Sequence, residues 1–67
     1  MTLTINGVEK EIADTILTVE DLIHFFDWGH RVVIVEVNQT ILTKDQHGST
    51  TLRNGDQVEI VSFVGGG

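Results

Sequence analysis

The stretch Thr18-Val19-Glu20-Asp21-Leu22-Ile23-His24-Phe25-Phe26-Asp27-Trp28-Gly29 decides how this chain folds. It holds the clearest helical pattern in the sequence. Val19, Leu22, Ile23 and Phe26 fall at i, i+3, i+4 and i+7, one apolar stripe on one helix face. Thr18 is a natural N-cap, and Asp21, three residues on, is a short version of the capping-box partner. Leu17 and Leu22 are spaced as a hydrophobic staple. Glu20 and Asp21 suit the positive helix N-terminus, and Gly29 is placed to stop the helix. Phe25 and Trp28 lie off the stripe. They either wrap the rim of the core or meet a partner. The rim is the simpler reading, since isolated exposed apolar residues are common.

Strand patterns lie on both sides of this helix. Before it, Leu3 and Ile5 alternate within Thr2–Asn6, a strand period. Asn6-Gly7 is a strong hairpin signal, because both central positions of a type I′ turn need positive φ. Val8–Ile12 returns as a second strand, with Val8 and Ile12 expected on the inner face. After the helix, Arg31–Asn38 is β-branched and is expected to be a central strand. Asn38-Gln39 turns the chain into a short strand near Thr40–Leu42. Lys44–Ser49 reads as a loop, Leu52 as an anchor, and Asn54-Gly55-Asp56 as a further turn. Gln57–Val64 is the last strand. A hairpin, one helix and a mixed sheet make this α+β, and the order is that of a β-grasp, with the helix across one sheet face. The first and last strands are expected to be parallel neighbours in the middle. Residues 1–64 form the domain, and Gly65-Gly66-Gly67 a flexible tail.

Size and composition bound the function. The chain has 67 residues and a mass of 7.4 kDa. At that size only about 60% of the unfolded surface is buried. So thin a core does not also wall off a cavity of several hundred Å³, so no self-contained enzyme is expected. The longest apolar run, Val32–Val35, is far short of a membrane span. No signal peptide is visible, which places the chain in the cytoplasm. The net charge is −6, with Lys10, Arg31, Lys44 and Arg53 scattered singly. Nucleic acid needs clustered cations and is a poor partner; a basic protein surface is a better one. There is no cysteine, which removes disulfides, thiol nucleophiles and cysteine-based metal sites.

Weaker patterns point nowhere. His24, His30 and His47 lack ligand spacing, so no metal site is expected. Glu9 and Glu11 share one face of an edge strand and read as a solvated edge that resists aggregation. No serine sits in a G-x-S-x-G elbow.

Three segments carry a resemblance to a known family. They are Ile34-Val35-Glu36-Val37-Asn38, Leu52-Arg53-Asn54-Gly55-Asp56-Gln57-Val58-Glu59-Ile60 and Phe63-Val64-Gly65-Gly66-Gly67. Together with the strand order they resemble the ThiS-type sulfur carriers of thiamine biosynthesis, which are ubiquitin-like β-grasp proteins. The resemblance covers essentially the whole chain. It implies that sulfur is carried as a thiocarboxylate on Gly67, with Gly65 and Gly66 as the tail. The carboxylate is an anion at neutral pH, with an unperturbed pKa of about 3.3–3.7, and needs activation. The implied route is adenylation by a partner E1-like enzyme. That enzyme supplies the ATP and magnesium site, since this chain has no phosphate-binding G-x-x-x-x-G-K-[ST] and is expected to bind no cofactor itself. A sulfur donor, such as a cysteine desulfurase system, and thiazole synthase are the other implied partners.

Glycine suits such a tail. Without Cβ it enters a narrow groove, and three extended residues reach about 10 Å. Composition alone leaves a disordered tail or an expression remnant equally open; the family resemblance favours the functional end. A docking face follows from alternation. If Val33, Val35 and Val37 point under the helix, Val32, Ile34 and Glu36 point outward. If Val58 and Ile60 point inward, Glu59, Val61 and Phe63 point outward. Val32, Ile34, Val61 and Phe63 then form an apolar patch bordered by Glu36 and Glu59, an interaction signature. The alternative is that side chains of a small sheet simply cover one another. Other readings of the whole chain stay open: a carrier for molybdopterin synthesis or tRNA thiolation, a ubiquitin-like modifier joined to lysines, or a purely structural β-grasp module. The acidic charge and the glycine end speak against the last.

Overall fold

The computed structural model describes residues 1–26 and 32–63, the last of these by its backbone. The expected helix stop at Gly29, the roles of Trp28 and His30, the start of a strand at Arg31 and its extension to Val64, and the tail Gly65-Gly66-Gly67 lie outside the described residues.

Asn6 and Gly7 both take positive φ, 50° and 81°, as a type I′ turn requires. They join β1 (Thr2–Ile5) to β2 (Val8–Glu11) as an antiparallel hairpin. Helix α1 (Val19–Phe25) follows, then β3 (Val32–Val37), β4 (Thr40–Leu42), a 3-10 turn at Lys44–Gln46 and β5 (Gln57–Phe63). The sheet order is β2-β1-β5-β3-β4. β5 is the middle strand, parallel to β1 and antiparallel to β3. This is the β-grasp: the hairpin and the β3–β4 pair flank a final strand that threads between them.

The helix start is closed on every side. Thr18 accepts from the Asp21 N–H at 3.1 Å, and the Asp21 carboxylate accepts from the Thr18 N–H at 3.1 Å, completing the capping box. The Val19 N–H donates to the Thr50 carbonyl and the Glu20 N–H to the His47 carbonyl. The otherwise orphaned donors of the first turn thus hold the 47–50 loop against the helix. The segment Lys44–Ser49, expected as a loop, contains a 3-10 turn at Lys44–Gln46 and the buried His47.

Val19, Leu22 and Ile23 bury one helix face against Leu3 and Ile5 of β1, Val35 and Val37 of β3, and Val58 and Ile60 of β5. Phe26 packs partly buried at the margin, and Phe25, which is exposed, meets its ring edge-on at 5.2 Å. Two expectations fail. Leu17 is exposed while Leu22 is fully buried, so the staple does not form. Val8 lies directly opposite Ile5 and so faces the helix side, but it is 55% exposed. β2 is the outer strand, and a seven-residue helix does not cover it. Ile12, just past β2, is buried as expected.

Candidate functional site

Everything that positions the candidate site converges on β5. Three turn asparagines fix this strand. At its start, Asn38 accepts from the Gln57 N–H at 2.9 Å and donates to Asp56 at 2.9 Å. Asn54 accepts from the Thr2 N–H at 2.7 Å, tying the turn before β5 to β1. Further along, the Asn6 side chain accepts from the Ile60 N–H at 2.8 Å and donates to the Ile60 carbonyl at 3.2 Å. The Asn6 amide therefore imitates the next residue of β1 after the backbone has turned away.

The register of β3 against β5 places Val32 opposite Phe63, Ile34 opposite Val61, and Glu36 opposite Glu59. Val35 and Val37, with their neighbours Ile60 and Val58, are buried under the helix. The alternate residues therefore face the open side of the sheet. Val32 is 71% exposed, Val61 55% and Ile34 43%. Glu59 is exposed and Glu36 half-buried. The geometry brings the expected apolar set together as two neighbouring rows, with Glu36 and Glu59 as the row beside them; the side chain of Phe63 lies outside the described residues, as do Gly65, Gly66 and Gly67.

Ile41 was missed. It sits opposite Glu36 on β4, so it shares the open face, and it is 68% exposed. A three-residue strand is too short for alternation to reveal its outward position.

The open face is graded. Its far corner is polar: Thr4 opposite Glu9, and Thr2 opposite Glu11. There the Met1 ammonium bonds Asp14 at 2.9 Å and Glu11 at 3.0 Å. Those bonds raise the ammonium's pKa, Asp14 first and Glu11 next. The same ammonium, then the Thr2 hydroxyl, holds the Glu11 carboxyl below its ordinary value. Between that corner and the apolar rows stand Glu36 and Glu59, like charges directly across two strands. Such a pair is locally unfavourable; a cation from outside would relieve it.

On the other face, Glu20, His24, Lys44 and His47 help to line a cavity of about 240 Å³, below the usual range for a small-molecule site. The His47 Nε2 is buried without a hydrogen-bond partner among the described residues. No cluster of three His, Cys, Asp or Glu able to hold a metal occurs among the described residues.

The sequence profile of the ThiS family matches residues 3–67. The chain belongs to the ThiS family. It is 35% identical over 65 residues to the sulfur carrier protein ThiS of Bacillus subtilis, covering 97% of this chain and 98% of that protein. The crystal structure of a thiamine biosynthesis protein (ThiS) from Geobacter metallireducens superimposes with a TM-score of 0.82 at 33% identity, over the full length of both chains. A thiazole synthase of Paramagnetospirillum magneticum is 39% identical over 67 residues, but the chain spans only 20% of that protein's length. The ThiS relationship thus bears out the resemblance and the β-grasp fold.

Proposed function

We propose that this protein is a sulfur carrier for thiamine thiazole formation, holding sulfur as a thiocarboxylate on Gly67. The observation that carries this reading is the end-to-end similarity to a sulfur carrier protein, together with a family match that runs through residue 67. The chemistry is consistent with the composition. The chain has no cysteine, so it has no thiol on which to hold a persulfide, and the C-terminal carboxylate is the useful attachment point.

In this reading the Gly67 carboxylate attacks the α-phosphorus of ATP on an adenylating enzyme, and pyrophosphate leaves. The outer sulfur of a donor persulfide then attacks the acyl carbon and AMP leaves, giving an acyl disulfide; a thiol on the donor side attacks the inner sulfur, which releases the thiocarboxylate and leaves a disulfide behind. A cysteine desulfurase system is the donor class, and thiazole synthase the acceptor. The region similar to the whole chain within a thiazole synthase supports that acceptor. This chain catalyses none of these steps and binds neither ATP nor magnesium. It acts in the cytoplasm; no described helix is long and apolar enough to cross a membrane.

The docking surface in this reading is Val32, Ile34, Val61 and Phe63, with Ile41 added. Exposed apolar area rimmed by charge supports it. Glu36 and Glu59 receive basic side chains of the partner, which relieves their mutual repulsion and steers encounter.

The test uses the carrier with its cognate adenylating enzyme, ATP and a sulfur source, followed by a thiol-selective alkylating reagent. One label on the C-terminal peptide is expected, and none after deletion of Gly67. Intact mass alone is a poor readout, because replacing oxygen by sulfur nearly equals the gain on Met1 oxidation. An unlabelled chain beside a labelled control carrier would overturn the reading, and lysine conjugates would replace it with a modifier.

A further inference from the structure

The two sides of β5 end at different places. On the β3 side, pairing continues to Val32 opposite Phe63. On the β1 side, pairing stops at Ile5 opposite Val58, and the Asn6 amide closes Ile60 two residues on. Main-chain groups of a strand point alternately to its two neighbours. The Thr4 N–H bonds the Asp56 carbonyl, the Asn6 N–H bonds the Val58 carbonyl, and Ile60 meets the Asn6 side chain. Residues 56, 58 and 60 therefore address the β1 side, and so does Ser62. Gly7 has already turned the chain back into β2. Among the described residues, the main chain of Ser62, which is half-buried, makes no hydrogen bond on that side.

This short edge differs from the sheet's outer edge at β2. There Glu9, Lys10 and Glu11 are all exposed, the usual charged protection against unwanted pairing. Val61, Ser62 and Phe63 carry no charge. The edge also adjoins the exposed Val61 and leads directly towards Gly65-Gly66-Gly67. Those glycines offer a partner no side chains to hold, so any grip on this part of the chain is made through the main chain.

We propose that the adenylating partner adds an extended segment of its own backbone to β5 at Ser62, setting the register in which the glycine tail is delivered. This rests on the carrier reading above. The partner's strand takes the place that β1 vacates at Asn6, and its hydrogen bonds to the Ser62 N–H and carbonyl are sequence-independent, as in other strand-addition interfaces.

Amide hydrogen exchange on the full chain, alone and with the cognate adenylating enzyme, tests this. In the free carrier the Ser62 amide should exchange faster than that of Val61, which faces β3. In the complex the Ser62 amide should become protected. Ser62→Pro removes a donor that β3 does not use, the position at which a strand tolerates proline. It should weaken binding roughly three- to tenfold, about one main-chain hydrogen bond. Should proline bend the strand, a synthetic chain with an ester in place of the Ser62 amide deletes the same N–H alone. A complex in which Ser62 stays as open as in the free chain overturns strand addition and leaves the carrier reading standing. No complex at all overturns both. Protection that grows with carrier concentration alone assigns the edge to a second copy and overturns the proposed occupant.

Discussion

The start and the end of β5 are built differently. At the start, the strand is pinned from both sides: Asn38 binds Gln57 and Asp56, Asp56 accepts from the Arg53 N–H, and Thr4 donates to the Asp56 carbonyl. Val58 beside these contacts is fully buried. At the end, one neighbour is gone, and Val61 faces solvent. The start is spent on stability. At the end, where the chain leads to its glycines, pairing continues on the β3 side alone and Val61 is exposed.

The sharpest way to break this contrast is to make the same substitution at both places. Val58→Ala should cost about 2–3 kcal/mol, from lost burial plus the cavity left behind. Val61→Ala should change stability by less than about 0.5 kcal/mol. Urea denaturation of the two variants measures both. Equal costs would mean that the end of β5 is core rather than surface.

Asn6→Gly sharpens the contrast at the junction. Glycine keeps the positive φ but loses both side-chain bonds to Ile60, an expected loss of about 1–2 kcal/mol. The Ile60 amide should then exchange faster while Val58 keeps its protection, so that the strand frays from its end only.

Away from β5, the helix start gives a control of similar size. Thr18→Ala should cost about 1 kcal/mol. The Asp21 carboxyl is held below its ordinary pKa by the backbone N–H groups of Leu17 and Thr18. Its folded pKa is thus below the unfolded value, so its contribution is complete above about pH 4 and is lost as pH falls through the folded value. Asp21→Asn should flatten the acid side of a stability–pH profile measured by denaturant midpoint.

The smallest effect should come from the acidic pair. Glu59→Gln removes the repulsion with Glu36 and should raise stability by a few tenths of a kcal/mol. A thermal melt at low salt checks this, and the gain should shrink at high salt. A loss of stability would mean that Glu59 already has a favourable partner.

The sequence by itself determined the local elements and the order in which they occur. The Asn6-Gly7 turn, the Thr18–Asp21 cap and the inward–outward alternation of Val32–Val37 are legible because each depends on residues a few positions apart. The family segments Ile34–Asn38, Leu52–Ile60 and Phe63–Gly67 are likewise legible in the sequence alone. Tertiary structure alone decided the rest. Asn6 reads as a turn residue, yet it also bonds Ile60, 54 positions away. Val8 faces the helix side and is still exposed, because burial depends on how far the helix reaches across the sheet. Ile41 joins the open face only through its pairing with Glu36. His47 is buried because the helix N–H groups draw its loop inward. Periodicity states which way a side chain points along its own strand; only the packed sheet determines what, if anything, stands opposite.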